Sequence, residues 1–302
     1  MKKSLLGVIG NTPLVRVGFA CPASVFAKLE YLNPGGSIKD RSALYMIEEA
    51  ERDGLLKPGG TIIEASSGNQ GIAIAMIGAI KGYKVIITVS EKISEEKLKT
   101  IKAYGAEVVM CPATDFIEDP RSYHSKAKEI LNATANAFMP NQYFNLKNPE
   151  AHYKFLGPEI WKQTQGKITH FFAAAGTGGT VSGAGKFLKE QNSRIKVIAA
   201  DAATSSRSTN GHPRPYKVEG IGVDFDTPCL DRDVIDDFVT VTDKQAFEML
   251  PKMAAKYGLL IGGSSGAVAH ATNEYCKKLK PGDLAVMIFG DSGRAYLSKN
   301  YY

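Results

Sequence analysis

The chain has 302 residues, 44% of them apolar and 23% charged, and carries a formal net charge of +6. That length predicts a large core split between two domains of an ordinary globular protein, and the modest charge, dispersed among acids such as Glu48, Glu49, Glu51 and Asp53, argues against a nucleic-acid-binding patch. Cys21, Cys111, Cys229 and Cys276 stand far apart with no CxxC pair, which argues against a zinc knuckle or disulfide framework, and no run nears the roughly 20 apolar residues of a membrane span or makes a signal-peptide core, so a cytoplasmic protein without membrane partners is expected.

In chain order, Gly10-Asn11-Thr12-Pro13 reads as a turn, followed by short strands over 14–17 and 25–29. Next comes Asn33-Pro34-Gly35-Gly36-Ser37-Ile38-Lys39-Asp40-Arg41, whose Asn33, Pro34 and Ser37 are helix-start signals. The spacing therefore predicts Lys39 in the first turn of a helix whose apolar face, Leu44, Ile47 and Ala50, runs on toward a cap at Gly54. A helix start disfavours an ammonium, so the pKa of Lys39 is expected to fall, leaving a neutral amine of the kind that forms a Schiff base with a carbonyl cofactor; the plainer reading is a solvated surface lysine.

A strand over 61–64 ends at Ser66-Ser67-Gly68-Asn69-Gln70-Gly71, followed by a helix over 72–80 that is apolar all round. Strand 85–89, helix 95–104 and strand 106–110 continue the alternation; a polar loop over 115–121 and a helix over 123–135 follow, and 141–149, with Gln142, suits a crossing between domains. The alternation resumes with strand 168–174, loop 176–180, helix 181–191 and strand 196–201. From 202 to 229 the pattern dissolves into Ser, Thr, Pro and Gly, a gap long enough to suggest function. Helix 244–257, strand 259–261, loop 262–266, helix 267–278 and strand 285–289 complete the series, giving an α/β protein with two doubly wound domains and mainly parallel sheets.

Three strand-to-helix loops carry the chemistry. Gly176-Thr177-Gly178-Gly179-Thr180 can converge its backbone N–H groups on an anion, and a monophosphate is the leading ligand. A dinucleotide is the competing one, with Asp201 at a ribose-binding distance, but Val181 stands where the fingerprint needs its third glycine; a merely tight turn is the third reading. The loop holding Ser66, Ser67, Asn69 and Gln70 suits a carboxylate or, as readily, a helix cap, and Gly262-Gly263-Ser264-Ser265-Gly266 is a third loop with the same two readings. His124, His152, His170, His212 and His270 show no metal or triad spacing. A reactive lysine, a phosphate loop and a carboxylate loop on α/β topology together point to an amino-acid enzyme using pyridoxal 5'-phosphate.

The runs AKLEYLNPGGSIKDR, SSGNQG, NQYFNLKNPEAHY, GTGGT, VEGIGVDF, GLLIGGSSGA and DSGRAYLSK occur in the order seen in the cysteine synthase and cystathionine β-synthase family of fold-type II pyridoxal-phosphate enzymes, which the chain resembles over essentially its whole length. The resemblance implies a tryptophan-synthase-β-like fold with the cofactor in the cleft between a smaller mobile domain, 41–145, and a larger one made of 1–40 and 146–302. It implies Lys39 as the Schiff-base and catalytic lysine, Asn69 on the cofactor's phenolic oxygen, Gly176, Thr177, Gly178, Gly179 and Thr180 on its phosphate, Ser264 at the pyridine nitrogen, and Ser66, Ser67, Gln70 and Gln142 on the substrate carboxylate. It further implies a homodimer and β-replacement on a serine derivative through an aminoacrylate, with a thiol acceptor: sulfide giving cysteine, or homocysteine giving cystathionine. Neither haem nor an adenosyl effector is expected, and no metal.

Two departures bear on the donor. The family's TSGNTG loop reads Ser66-Ser67-Gly68-Asn69-Gln70-Gly71 here, which reshapes the carboxylate site, and Val223 stands where animal cystathionine β-synthases resemble one another in having tyrosine, which points away from free serine. Cysteine desulfhydration and 2,3-diaminopropionate synthesis are alternatives on the same chemistry; a non-catalytic binding module of the same fold is a remote one, and an intact Lys39 argues against it.

Overall fold

The computed structural model describes residues 4–114 and 118–302. The loop expected over 115–121 lies partly outside the described residues.

Two sheets organise the chain. Strands β1 (Leu14–Arg16) and β2 (Ser24–Leu29) precede helix α1 (Lys39–Arg52). Then β3 (Thr61–Ala65), α2 (Asn69–Lys81), β4 (Lys84–Ser90), α3 (Glu95–Ala103), β5 (Glu107–Cys111), α4 (Tyr123–Ala133) and β6 (Ala137–Phe138) build a four-stranded parallel sheet of order β5-β4-β3-β6. β3 is buried along its whole length and β4 nearly so. That is why both read as unbroken apolar runs: a parallel strand covered by helices on two faces has no polar side to show. α2 packs so closely that a Cβ on Gly78 would lie 2.2 Å from Val85 Cγ2.

After α5 (Lys147–Ala151) and α6 (Gly157–Gln163), joined by a π turn at His152–Leu156, come β7 (His170–Ala174), α7 (Gly179–Gln191), β8 (Lys196–Ala202), β9 (Asp237–Val241), α8 (Asp243–Tyr257), α9 (Gly263–Tyr275) and β10 (Leu284–Phe289). With β1 and β2 these strands form a six-stranded sheet of order β1-β2-β10-β7-β8-β9, parallel except for β1. Strand periodicity divides its core in two. Phe172, Ile198, Ala200, Met287 and Phe289 face α8 and α9, whereas Phe171, Val197, Ala199, Val286 and Ile288 face α6 and α7.

The structure departs from the sequence expectation at several elements. The strand expected over 259–261 is reduced to one bridge, Ile261 to Ser292. α9 begins at Gly263, so Ser264, Ser265 and Gly266 lie in its first turn and not in a loop. β6, β9 and the helices over 147–163 were not anticipated. Among the described residues no helix is long and apolar enough to cross a membrane, and no cluster of His, Cys, Asp or Glu could hold a metal ion.

Candidate active site

Lys39 is the first residue of α1, and its placement is over-determined. Ser37 Oγ accepts the Lys39 N–H at 3.2 Å, Gly35 N–H donates to Asp40 Oδ2 at 2.6 Å, and Ile38 N–H donates to Gly290 O at 2.8 Å. A Cβ on Gly35 would lie 2.4 Å from Asp40 Oδ1, so only glycine lets the loop close on that carboxylate. Behind it, Arg41 donates to both Glu30 oxygens at 2.6 and 2.8 Å and to Glu159 Oε2 at 3.0 Å, while Lys28 also pairs with Glu159.

The Lys39 amine makes no hydrogen bond or ion pair with a described residue. Burial lowers its pKa, against the opposing pull of the nearby Cys229 and Asp291. The direction is the one expected, but the cause is desolvation by burial and not the helix start. His152, fully buried and also near Lys39, is held neutral by burial with its Nδ1 unpaired.

The 176–180 stretch runs from the end of β7 into α7, so that Gly179 and Thr180, expected in a loop, open the helix. Its glycines each have a packing reason: a Cβ on Gly176 would meet Gly220 O at 2.7 Å, one on Gly179 would meet Asn148 Oδ1 at 2.2 Å, and Gly178 has φ 89° with Leu230 Cα 2.6 Å from where its Cβ would stand. Only Gly178 is beyond the reach of other residues on backbone grounds as well. The N–H groups of Gly176, Thr177 and Gly178 donate to no described protein atom, and Thr180 Oγ1 lies 3.3 Å from His152 Nε2. Ser264 Oγ faces the next wall, 3.3 Å from where a Cβ on Gly220 would stand; Gly222 N–H in turn donates to Ala175 O at 3.0 Å. Ser264 and the 176–180 loop are thus joined through the 220–222 turn.

The 66–71 loop is partly a capping device. Ser66 Oγ accepts the Gly68 and Gly71 N–H groups at 3.3 and 3.2 Å, and Ser67 Oγ accepts Ser90 N–H at 2.6 Å. Gln70 differs: it is 1% exposed and neither amide atom has a partner. Asn69 Nδ2 donates to Asp291 Oδ2 at 2.7 Å, across the two sheets, and Tyr296 donates its hydroxyl to the same oxygen. Beside it Lys97, on α3, pairs with Glu219 at 2.5 Å and lies 4.0 Å over the Tyr296 ring. A cavity of about 520 Å³ adjoins Asn69, Lys97 and the 31–36 segment.

Gln142 is buried, with Asn148 Nδ2 donating to its carbonyl at 2.8 Å and to Thr177 Oγ1 at 3.0 Å. Asn148, His152 and Asp291 are thus neighbours of the site that were not singled out from the sequence. Each lies inside a run that carried the resemblance, which was the only available signal.

These groups fit pyridoxal 5'-phosphate. A lysine amine without a partner, loop N–H groups free to meet an anion and the unpaired buried atoms Gln70 Oε1 and Nε2, Asn148 Oδ1, His152 Nδ1, Ser265 Oγ and Asp291 Oδ1 supply what an aldehyde, a phosphate and a substrate would engage.

Comparison with known proteins agrees. Residues 5–291 match the family described as "Pyridoxal-phosphate dependent enzyme". Cystathionine beta-synthase of Apis mellifera is 42% identical over 98% of this chain, which spans only 60% of that protein's length. Cysteine synthase of Staphylococcus aureus is 42% identical over 98% of this chain and 95% of its own. The crystal structure of O-acetylserine dependent cystathionine beta-synthase from Helicobacter pylori superposes with a TM-score of 0.92 at 36% identity, covering 100% of this chain and 99% of that one. Matched by that family's model over most of its length and by relatives well above 30% identity, the chain belongs to the pyridoxal-phosphate-dependent enzyme family.

Proposed function

We propose that the protein replaces the β-substituent of a serine derivative, O-acetylserine-like or serine, with a thiol, sulfide giving cysteine or homocysteine giving cystathionine. The observation that carries this reading is the Lys39 amine: it opens α1 beside Asp291, His152 and Cys229, its pKa lowered by burial and its nitrogen unpartnered. The relatives' names, cysteine synthase and O-acetylserine dependent cystathionine beta-synthase, support the same chemistry.

Lys39 would hold the cofactor, with Asn69 at its phenolic oxygen, Gly176, Thr177, Gly178, Gly179 and Thr180 at its phosphate and Ser264 at its ring nitrogen. Bound there, pyridoxal phosphate stabilises negative charge at the substrate Cα and so lets the β-substituent leave. Lys39 Nζ, its pKa lowered by burial, takes the Cα proton. Asp291 occupies one of the two Asn69 Nδ2 hydrogens and leaves the second for the cofactor. Ser264, at the start of α9, presents a neutral hydroxyl where the helix dipole disfavours a pyridinium. Gln70 and Gln142 donate amide hydrogens to the substrate carboxylate, with the Ser66 and Ser67 hydroxyls beside them.

The segment 41–145 would act as the smaller, moving domain against 1–40 and 146–302; the Asn69–Asp291 and Lys97–Glu219 contacts are among those its motion would make and break, with the bonds of Ser94 to Ala295 and of Glu96 to Ser298. We further propose a cytoplasmic homodimer: four free cysteines suit a reducing compartment, and exposed Leu5, Val8 and Phe155 offer apolar surface to a second copy.

The test is a panel in which holoenzyme meets O-acetylserine, serine, phosphoserine or cysteine, each with sulfide or homocysteine, and the products are identified. Cysteine or cystathionine from a serine derivative is the expected result. Pyruvate and sulfide from cysteine alone would instead establish desulfhydration, and no product from any pair would sink the enzymatic reading.

A further inference from the structure

β3 and β6 are parallel neighbours whose ladder is paired at Thr61 with Ala137 and at Ile62 with Phe138, and two residues further on the β6 side stands Pro140, which has no N–H to give. Glu64 takes over there. Its side chain, 1% exposed, accepts Asn141 N–H at 2.8 Å through Oε2 and Gln142 N–H at 3.4 Å through Oε1. Asn141 has φ 52°, a left-handed turn that these bonds pin in place.

We infer that Glu64 is a positioning residue for the amino-acid substrate, its carboxylate clipping the backbone of Asn141 and Gln142 to the end of β3 so that the Gln142 amide is held in the cleft. The inference rests on the reading that Gln142 meets the substrate carboxylate. Gln142 is then held at both ends of its backbone, at N–H by Glu64 and at C=O by Asn148, which also reaches Thr177 in the phosphate loop. One carboxylate thereby joins the amino-acid subsite to β3, the strand that leads into Ser66.

The clip is ionisable. Burial raises the Glu64 carboxyl to about 7, and the two backbone N–H groups only partly oppose this. The titratable groups that face it, Tyr123 at the start of α4 and Tyr143 beyond β6, are themselves pushed up in pKa, chiefly by burial and in part by Glu64, and stay neutral. Among the described residues no cation acts on it. When Glu64 is protonated, the oxygen that carries the hydrogen becomes a much poorer acceptor for the N–H in front of it, so one arm of the clip weakens.

Donor KM is therefore expected to rise as pH falls through about 7, while kcat at saturation changes little. In the test, holoenzyme, Glu64→Gln and Gln142→Ala are compared across about pH 7 with O-acetylserine as donor and a saturating thiol acceptor; the substrates' own titrations cancel in the comparison. Glu64→Gln offers one acceptor and one N–H where two acceptors are needed. It should raise KM roughly tenfold above pH 7 and abolish the further rise below it, with kcat within about twofold.

Wild-type KM in Glu64→Gln, or parallel pH profiles of the two enzymes, overturns the inference alone if Gln142→Ala still raises KM. An unchanged KM in Gln142→Ala overturns the reading of the site itself. Should Glu64→Gln fail to fold, the wild-type profile decides, and a KM that stays flat across about pH 7 overturns the proposal.

Discussion

At the scale of single residues, the site reads as a set of nitrogen and oxygen atoms without protein partners, and Lys39 is the first to test. Lys39→Ala should cut turnover at least about a thousandfold, because no neighbouring amine can serve as both imine partner and proton carrier. The variant should still fold, since Nζ makes no ion pair with a described residue and alanine suits a first helical turn. Its circular dichroism and melting curve should match the parent; near-normal turnover would end the assignment. Lys39 and the glycine loops were legible in the sequence because each is a local pattern of strand, small residues and helix. Asp291 was not, since its partner Asn69 is 222 residues away, and no local rule pairs them. Ser66 and Ser67 were legible only as two equal readings. The structure adds weight to the cap, because backbone N–H groups already occupy both hydroxyl oxygens.

At the scale of elements, α7 offers a cleaner test of the phosphate loop than its glycines do. Gly178→Asp would confound charge with strain, since φ is 89° and Leu230 lies against the site of the new Cβ. Thr180→Asp instead places a carboxylate in the first turn of α7, where the helix dipole favours it, yet beside the expected phosphate. Cofactor affinity should fall by at least about tenfold while the apoenzyme melts no lower, read by dialysis against dilute cofactor and by thermal unfolding. Undiminished affinity would remove the loop from the site. The long alternating elements were legible from periodicity to within a few residues. The helices over 147–163 were hidden because Pro149, Gly157 and Pro158 read as breakers, although a π turn carries the chain through them. The five residues of β9 begin with Asp237 and are only half-buried at an edge, which weakens the alternation. Leu259 to Ile261 has strand composition but is buried by packing, with one bridge in place of a ladder.

At the scale of the whole molecule, buried carboxyls set a pH dependence of stability. Asp40 rises from 3.8 to about 7 and Glu64 from 4.5 to about 7, both chiefly through burial, so the folded state prefers their protonated forms. The stability they contribute is full below their unfolded values and is lost as pH rises through about 7. The apoenzyme melting temperature should accordingly fall as pH is raised across that window, and less steeply in Glu64→Gln; a flat curve in both proteins would refute it. The same geometry also governs how the chain is made. On the ribosome, Ser24–Leu29 emerges early, but its parallel neighbour Leu284–Phe289 is synthesised only after all the other strands, so the large sheet stays split between β2 and β7 until then. The small sheet needs only residues 61–138 and can close first. Until β10 arrives, the nascent large domain presents two open apolar edges, the kind of surface that chaperones hold and that aggregates at high expression. In pulsed hydrogen exchange during refolding, amides of β3 and β4 should gain protection before those of β2, and simultaneous protection would show that the two sheets fold as one unit.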